Sequence, residues 1–138
     1  LSREKFIHKC SFGKKTKMKK AYYPCLMFNE TVKNDIDLSK NMAITGPNAS
    51  GKTTILKTVL FNLIFSQGFG YGFYSKATIS PYNHIHCYLN IPDTSGRDSL
   101  FQAEARRCKE ILESLEDGKK HFCIFDELFS GTNPTEAC

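Results

Sequence analysis

The sequence has no uninterrupted apolar run of 18 residues; its most apolar stretch, Ile55–Phe65, is broken by Lys57, Thr58 and Asn62. That excludes a membrane-spanning helix within it. The opening residues, Leu-Ser-Arg-Glu-Lys, are charged at once and lack the apolar core of a secretory signal. An initiator Met is also lacking, so the expectation is a piece of a longer chain. None of the six cysteines, at 10, 25, 87, 108, 123 and 138, belongs to a Cys-x-x-Cys pair. Cys87, Cys108 and Cys123 fall inside apolar patterns, where a thiol packs as a small hydrophobe; reduced cysteines in an intracellular protein are expected. Internal repeats and low-complexity tracts are absent.

What is present suffices for one core. The 138 residues are 41% hydrophobic and 12% aromatic, which argues against wholesale disorder and against several domains. Charge is unevenly spread. Residues 1–20 hold eight basic residues against Glu4, a net +7, while the rest of the chain is net −2. Such a lead-in suits either nucleic-acid phosphate or an ordinary solvated helix end or flexible arm.

Beyond residue 20 the pattern becomes apolar. Ala21-Tyr22-Tyr23-Pro24-Cys25-Leu26-Met27-Phe28 reads as extended, and the short run Met42-Ala43-Ile44-Thr45 reads as a buried parallel strand. Ile55, Leu56, Val59, Leu60, Leu63 and Ile64 recur at helical spacing and predict a helix of about four turns. Gly68-Phe69-Gly70-Tyr71-Gly72 should end that helix in a mobile loop. Pro81 divides residues 76–90 into two short extended pieces. Phe101, Ala105, Cys108, Leu112 and Leu115 then predict a second helix, with Glu104, Arg106 and Arg107 among its solvent-facing residues. Ser99 with Gln102 resembles a capping box, and Gly118 stands where a helix stop belongs. His121–Phe125 is a further apolar strand ending at Asp126-Glu127. The order implies an α/β fold with a parallel sheet. His84-x-His86-Cys87 places two histidines on one strand face; without a second ligand pair at zinc spacing, it reads as structural.

Chemistry concentrates at two places. Gly46-Pro47-Asn48-Ala49-Ser50-Gly51-Lys52-Thr53 satisfies G-x-x-x-x-G-K-[ST], a match expected by chance in roughly one such chain in a few hundred. Glycines let the backbone wrap a polyphosphate, and loop N–H groups with a helix N-terminus attract its charge. Lys52 would reach the β- and γ-phosphates, and the Thr53 hydroxyl would hold Mg²⁺. The second place is Asp126-Glu127 after its apolar strand: Asp126 can orient the magnesium shell, and Glu127 can act as general base on water.

These segments, read as Ile44-Thr45-Gly46-Pro47-Asn48-Ala49-Ser50-Gly51-Lys52-Thr53 and Asp126-Glu127-Leu128-Phe129-Ser130-Gly131-Thr132, resemble the MutS family of ATPases. Tyr23-Pro24, Asn34-Asp35-Ile36 and Ser99-Leu100-Phe101-Gln102-Ala103-Glu104 are similar to further motifs of that family, in the same order. The likeness implies an ABC/MutS-type P-loop NTPase with a parallel-sheet core and flanking helices, incomplete at its C-terminus. Residues 1–20 would be a basic lead-in and residues 21–138 the partial ATPase domain. It implies ATP and Mg²⁺ as ligands, held by Gly46–Thr53 and Thr54, with Asn48 near the γ-phosphate and Val32 and Asn34 near the adenine. Thr31 stands where an aromatic is common. Ser99 matches a serine that completes the site of a partner subunit in trans.

The resemblance further implies a homo- or heterodimer with a MutS-like subunit. DNA, mismatched or branched, would be bound mostly through regions outside this chain, with no membrane role. The setting would be intracellular, in cytoplasm or nucleus. The leading expectation is an ATP-driven clamp on mismatched DNA. Gly131-Thr132-Asn133-Pro134-Thr135-Glu136 is closer to the anti-recombination and ribosome-rescue branch, and Asp98 lengthens the spacing before Ser99 by one residue. Action on branched DNA or ribosomes is therefore the alternative, with a non-hydrolysing dimerisation module as a third reading.

Overall fold

The computed structural model describes residues 7–26, 31–89 and 100–129. The chain divides into two units, Leu1–Pro81 and Tyr82–Cys138.

In the first unit, β1 (His8–Lys9), β2 (Ser11–Phe12) and β3 (Lys17–Ala21) come from the basic lead-in, and β4 is Asn34–Asp37. The helix α1 runs Lys52–Phe69 and is followed by β5 (Tyr71–Gly72) and β6 (Lys76–Ile79). Four strands form a mixed sheet in the order β2-β6-β3-β4, parallel between β2 and β6 and antiparallel elsewhere, while β1 pairs antiparallel with β5. Over residues 7–20 the lead-in is thus strand-forming, neither a helix end nor a flexible arm. Its sequence Lys-Met-Lys-Lys-Ala turns Met18 and Ala21 into the core and leaves the lysines exposed.

Helix α1 packs its buried face, Thr58, Val59, Asn62, Leu63 and Ser66, against β3, β5 and β6. Three of those five side chains are polar. Asn62 is fully buried and satisfies its amide completely: Nδ2 donates to Tyr22 O (3.3 Å) and Thr58 O (2.9 Å), and Oδ1 accepts from Phe73 N–H (2.7 Å). Ser66 Oγ lies 2.9 Å from the Tyr74 hydroxyl, whose pKa burial pushes up to about 12. Gly72 has no room for a Cβ, because the Tyr74 ring occupies that position.

Three expectations are corrected here. Residues 68–72 are not a mobile loop: Gly68 and Phe69 finish α1, Gly70 caps it in a left-handed conformation, and Tyr71–Gly72 pair with β1. Met42–Thr45 is not a strand among the described residues. Ile44 is half-buried while Met42, Ala43 and Thr45 are exposed. A four-residue apolar run becomes a strand only when neighbours take up its backbone hydrogen bonds, and no described strand pairs with this one. Within residues 21–28, a 3₁₀ turn over Pro24–Leu26 replaces the expected extended run, and Met27 and Phe28 lie outside the described residues.

In the second unit, β7 (His84–Tyr88) and β8 (His121–Phe125) pair in parallel, joined through α2 (Leu100–Glu113), as β-α-β connectivity demands. Pro81 does separate two strands, β6 and β7. On α2 the buried positions are Glu104 and Ile111, with Cys108 half-buried between them, whereas Leu112 and Leu115 are 68% and 43% exposed. The inward stripe is turned about one residue from the predicted one, because Glu104 finds a buried partner in Tyr88. The helix also stops at Glu113, so Gly118 shapes the turn before β8, with φ +74° and Lys119 N–H on Glu116 O (3.3 Å). The protein is α/β, as expected, but its described sheets are mixed and not one parallel core.

Candidate functional site

The phosphate-loop sequence lies wholly in the first unit and leads directly into α1. Ser50 N–H donates to Pro47 O (3.3 Å), closing a turn, and Ile55 N–H reaches Gly51 O (3.0 Å) as the first helical bond. Ala49 and Gly51 have φ of +60° and +90°. Left-handed residues two apart aim successive backbone N–H groups toward one side, the arrangement that makes an anion-binding nest. At Gly51 nothing crowds a Cβ, so conformation alone requires glycine there. Ala49 pays about 1–2 kcal/mol for the same handedness, strain of the kind that clusters at ligand clamps.

Lys52 opens α1, and its ammonium folds back over the loop, donating to Gly46 O (2.6 Å) and Pro47 O (3.2 Å). A cation in the first turn opposes the helix dipole, and this first turn contains no acidic residue to offset it. An anion set against the loop would relieve that conflict. The loop Gly46–Ser50 is exposed, and Gly51–Thr54 is half-buried at the start of the helix. Gly51 as N-cap provides no side-chain hydrogen bond to the helix. Of the residues assigned to the adenine, Val32 is 79% exposed and Asn34 opens β4 opposite Ala21.

The acidic pair belongs to the second unit, at the carboxyl ends of two parallel strands, where open α/β sheets place their ligands. Asp126 N–H donates to Tyr88 O (2.9 Å), extending the ladder by one bond, and Asp126 is half-buried. Glu127 is exposed with φ +45°, and Phe129 follows at +56°. The left-handed glutamate ends the strand and turns its backbone out of the sheet. Phe129 N–H approaches the Tyr88 hydroxyl (3.5 Å), and its ring packs on Phe101 of α2 (centroids 5.7 Å apart). Burial first, with the neighbouring Glu104, pushes the Tyr88 hydroxyl pKa up. Ser99 and Gly131–Glu136 lie outside the described residues.

Several anchoring residues escape a sequence reading. Glu104 is 3% exposed, not solvent-facing. Arg107 donates Nε and Nη2 to Cys87 O (3.3 and 3.1 Å) and pairs with Glu110 (3.2 Å), tying α2 to β7. His121 joins His84 and His86 because the parallel register sets His121 opposite His84. The three rings stack with centroids 4.9–6.2 Å apart. Among the described residues no group of three His, Cys, Asp or Glu side chains is disposed to hold a metal. The five described cysteines are free, with Cys10 buried and Cys25 exposed. No described helix is long and apolar enough to cross a membrane.

Comparison with known proteins converges on the same segments. Residues 42–138 match the family model MutS domain V. Endonuclease MutS2 of Staphylococcus aureus is 31% identical over 122 residues, covering 85% of this chain and 17% of that protein. Endonuclease MutS2 of Ligilactobacillus salivarius is 32% identical over 126 residues, 86% of this chain and 16% of its own length. That of Staphylococcus saprophyticus is 32% identical over 122 residues, 85% and 15%. The chain therefore spans about a sixth of the length of these relatives. The family match covers the phosphate loop, both second-unit strands and the acidic turn, and with it this chain belongs to the MutS family.

Proposed function

We propose that the chain is the nucleotide-binding part of a MutS-family ATPase, converting ATP and water to ADP and phosphate within a dimer. The observation that carries this reading is Lys52: a cation at the start of an 18-residue helix, folded into a loop with left-handed residues at Ala49 and Gly51. Gly46–Thr54 cradle the polyphosphate, Asn48 faces its terminal group, and Val32 and Asn34 serve the base. Thr53 and Asp126 are the residues suited to hold Mg²⁺, which would neutralise charge on the transferred phosphoryl group. Glu127 takes the proton of the attacking water, and Ser99 completes the site of a partner subunit.

The first 20 residues act as a basic lead-in to an ATPase domain spanning 21–138, in an intracellular protein whose DNA-handling regions lie mostly elsewhere. The DNA acted on is mismatched duplex in the leading reading. The sequence Gly131–Glu136 favours the second, with branched DNA or ribosomes as target. Glu127→Gln tests the enzymatic claim in the full-length parent protein. ATP binding should persist while turnover falls by about 10²–10⁴-fold, the usual contribution of a general base. Turnover unchanged by the substitution would contradict the assignment, and a wild-type protein that binds ATP without turnover would leave the dimerisation module.

A further inference from the structure

The charge of the chain divides between its two units more sharply than the lead-in suggests. Residues 1–81 carry thirteen basic and four acidic residues, net +9, and residues 82–138 carry six and ten, net −4. Much of the positive charge lies on one face of the first unit's four-stranded sheet. On β3, Lys17 and Lys19 point away from the core while Met18 points into it. Their partners on β6 are Thr78 and Lys76, so Lys19 and Lys76 stand directly opposite each other on the exposed side. Ser11 of β2 adds its hydroxyl beside that of Thr78 (3.2 Å). The connection from β2 to β3 adds exposed Lys14 and Lys15.

A bulge extends the array. Lys20 has φ +52°, the β3–β4 register shifts between Met18 and Ala21, and the Lys20 N–H is caught by Asp35 Oδ1 (2.9 Å). Strict alternation is broken, and Lys19 and Lys20 are both exposed in succession. The acidic residues of this face are already committed to it. Asp35 holds the bulge, while Asp37 takes the Ser39 N–H (2.9 Å) and the Lys17 ammonium (3.4 Å). Six lysines against two aspartates leave this surface net +4. Facing like charges across a ladder and a left-handed lysine both oppose folding, so their presence has to be justified by what the face binds.

We propose that this sheet face is a sequence-independent docking surface for the phosphate backbone of a nucleic-acid duplex, in the chain itself and separate from the nucleotide site. Lysines and hydroxyls are the side chains that contact phosphate without reading bases. The first unit has no arginine among its described residues, and lysine acts as a point charge with no bidentate geometry to impose. Phe12 of β2 is 56% exposed, but it pairs with the buried Ile79 and so alternates away from the row of Lys17, Lys19 and Lys76. Among the described residues that row carries no aromatic ring on which an unpaired base could stack, which selects duplex over single strand. Nor, among the described residues, does that lysine row carry an apolar anchor of the kind a membrane-surface element inserts.

The test is binding of a random-sequence DNA duplex to the full-length parent by fluorescence anisotropy across a salt series. Each phosphate contact contributes about −0.9 to the slope of log K against log salt. Lys19→Gln/Lys76→Gln should weaken binding and make the slope shallower by about 1.8. Lys109→Gln/Lys119→Gln, which removes two exposed charges from the second unit, should leave the slope unchanged. ATP affinity should be the same in both variants, which separates this claim from the nucleotide reading and from misfolding. An unaltered slope in the first variant, equal effects in both, or a loss confined to anionic phosphatidylserine vesicles would overturn the proposal.

Discussion

Lys52 and Asn62 sit ten positions apart on one helix and illustrate two ways a polar group is accommodated. Lys52 is half-buried at the helix start and leans on two loop carbonyls, an arrangement that a phosphate would replace. Asn62 is sealed, and its three hydrogen bonds join α1 to the Tyr22 carbonyl and the Phe73 amide. Removing it strands a buried N–H and a buried C=O, each costing about 1–3 kcal/mol. Asn62→Ala should therefore lower the unfolding free energy by about 2–6 kcal/mol in urea titration, and a loss under about 1 kcal/mol, less than one stranded group costs, would contradict the role. The phosphate loop was readable because its chemistry is written in eight consecutive residues. Asn62 and Glu104 were not, since polarity alone points outward and only a partner, Phe73 N–H or Tyr88, reverses the direction.

At the scale of elements, helices α1 and α2 and strands β6, β7 and β8 follow from local periodicity, which each segment carries by itself. Pairing does not. The Lys-rich lead-in hides a strand because only Met18 and Ala21 face inward, and Met42–Thr45 has the composition of a strand without a described partner. The histidine stack is a product of pairing too. His121 Nε2 lies 3.1 Å from the Glu116 backbone nitrogen and 3.3 Å from its carbonyl oxygen, while His121 Nδ1 lies 3.0 Å from His86 Nε2, one ring supplying the proton between them. Burial, then the neighbouring His121, His84 and Arg107, pull the His86 pKa below its ordinary 6.5. The neutral ring is the form the fold accepts, so the unfolded chain binds more protons in acid. Stability should be level above about pH 6.5 and fall as pH drops from there through the lowered folded value. Urea midpoints measured from about pH 8 to about pH 5 should show this decline. In His86→Gln the decline should flatten, and an unchanged profile would exclude His86 as its source.

For the whole molecule, the same sequence supplies a basic first unit bearing the phosphate loop and an acidic second unit bearing Asp126 and Glu127. The family membership was legible because its motifs are short and ordered, and the match over residues 42–138 rests on the same stretch. The chain covers about a sixth of the length of its MutS2 relatives, so the dimer and the DNA target stand as proposals about the parent protein. All of these roles depend on one premise, that Gly46–Thr53 binds ATP. The most direct measurement is Mg-ATP affinity of the full-length parent and its Lys52→Ala variant by isothermal titration calorimetry. Loss of charge-assisted phosphate contacts worth about 1.5–3 kcal/mol predicts a dissociation constant raised about 10- to 100-fold. Equal affinity in the two proteins would contradict the account.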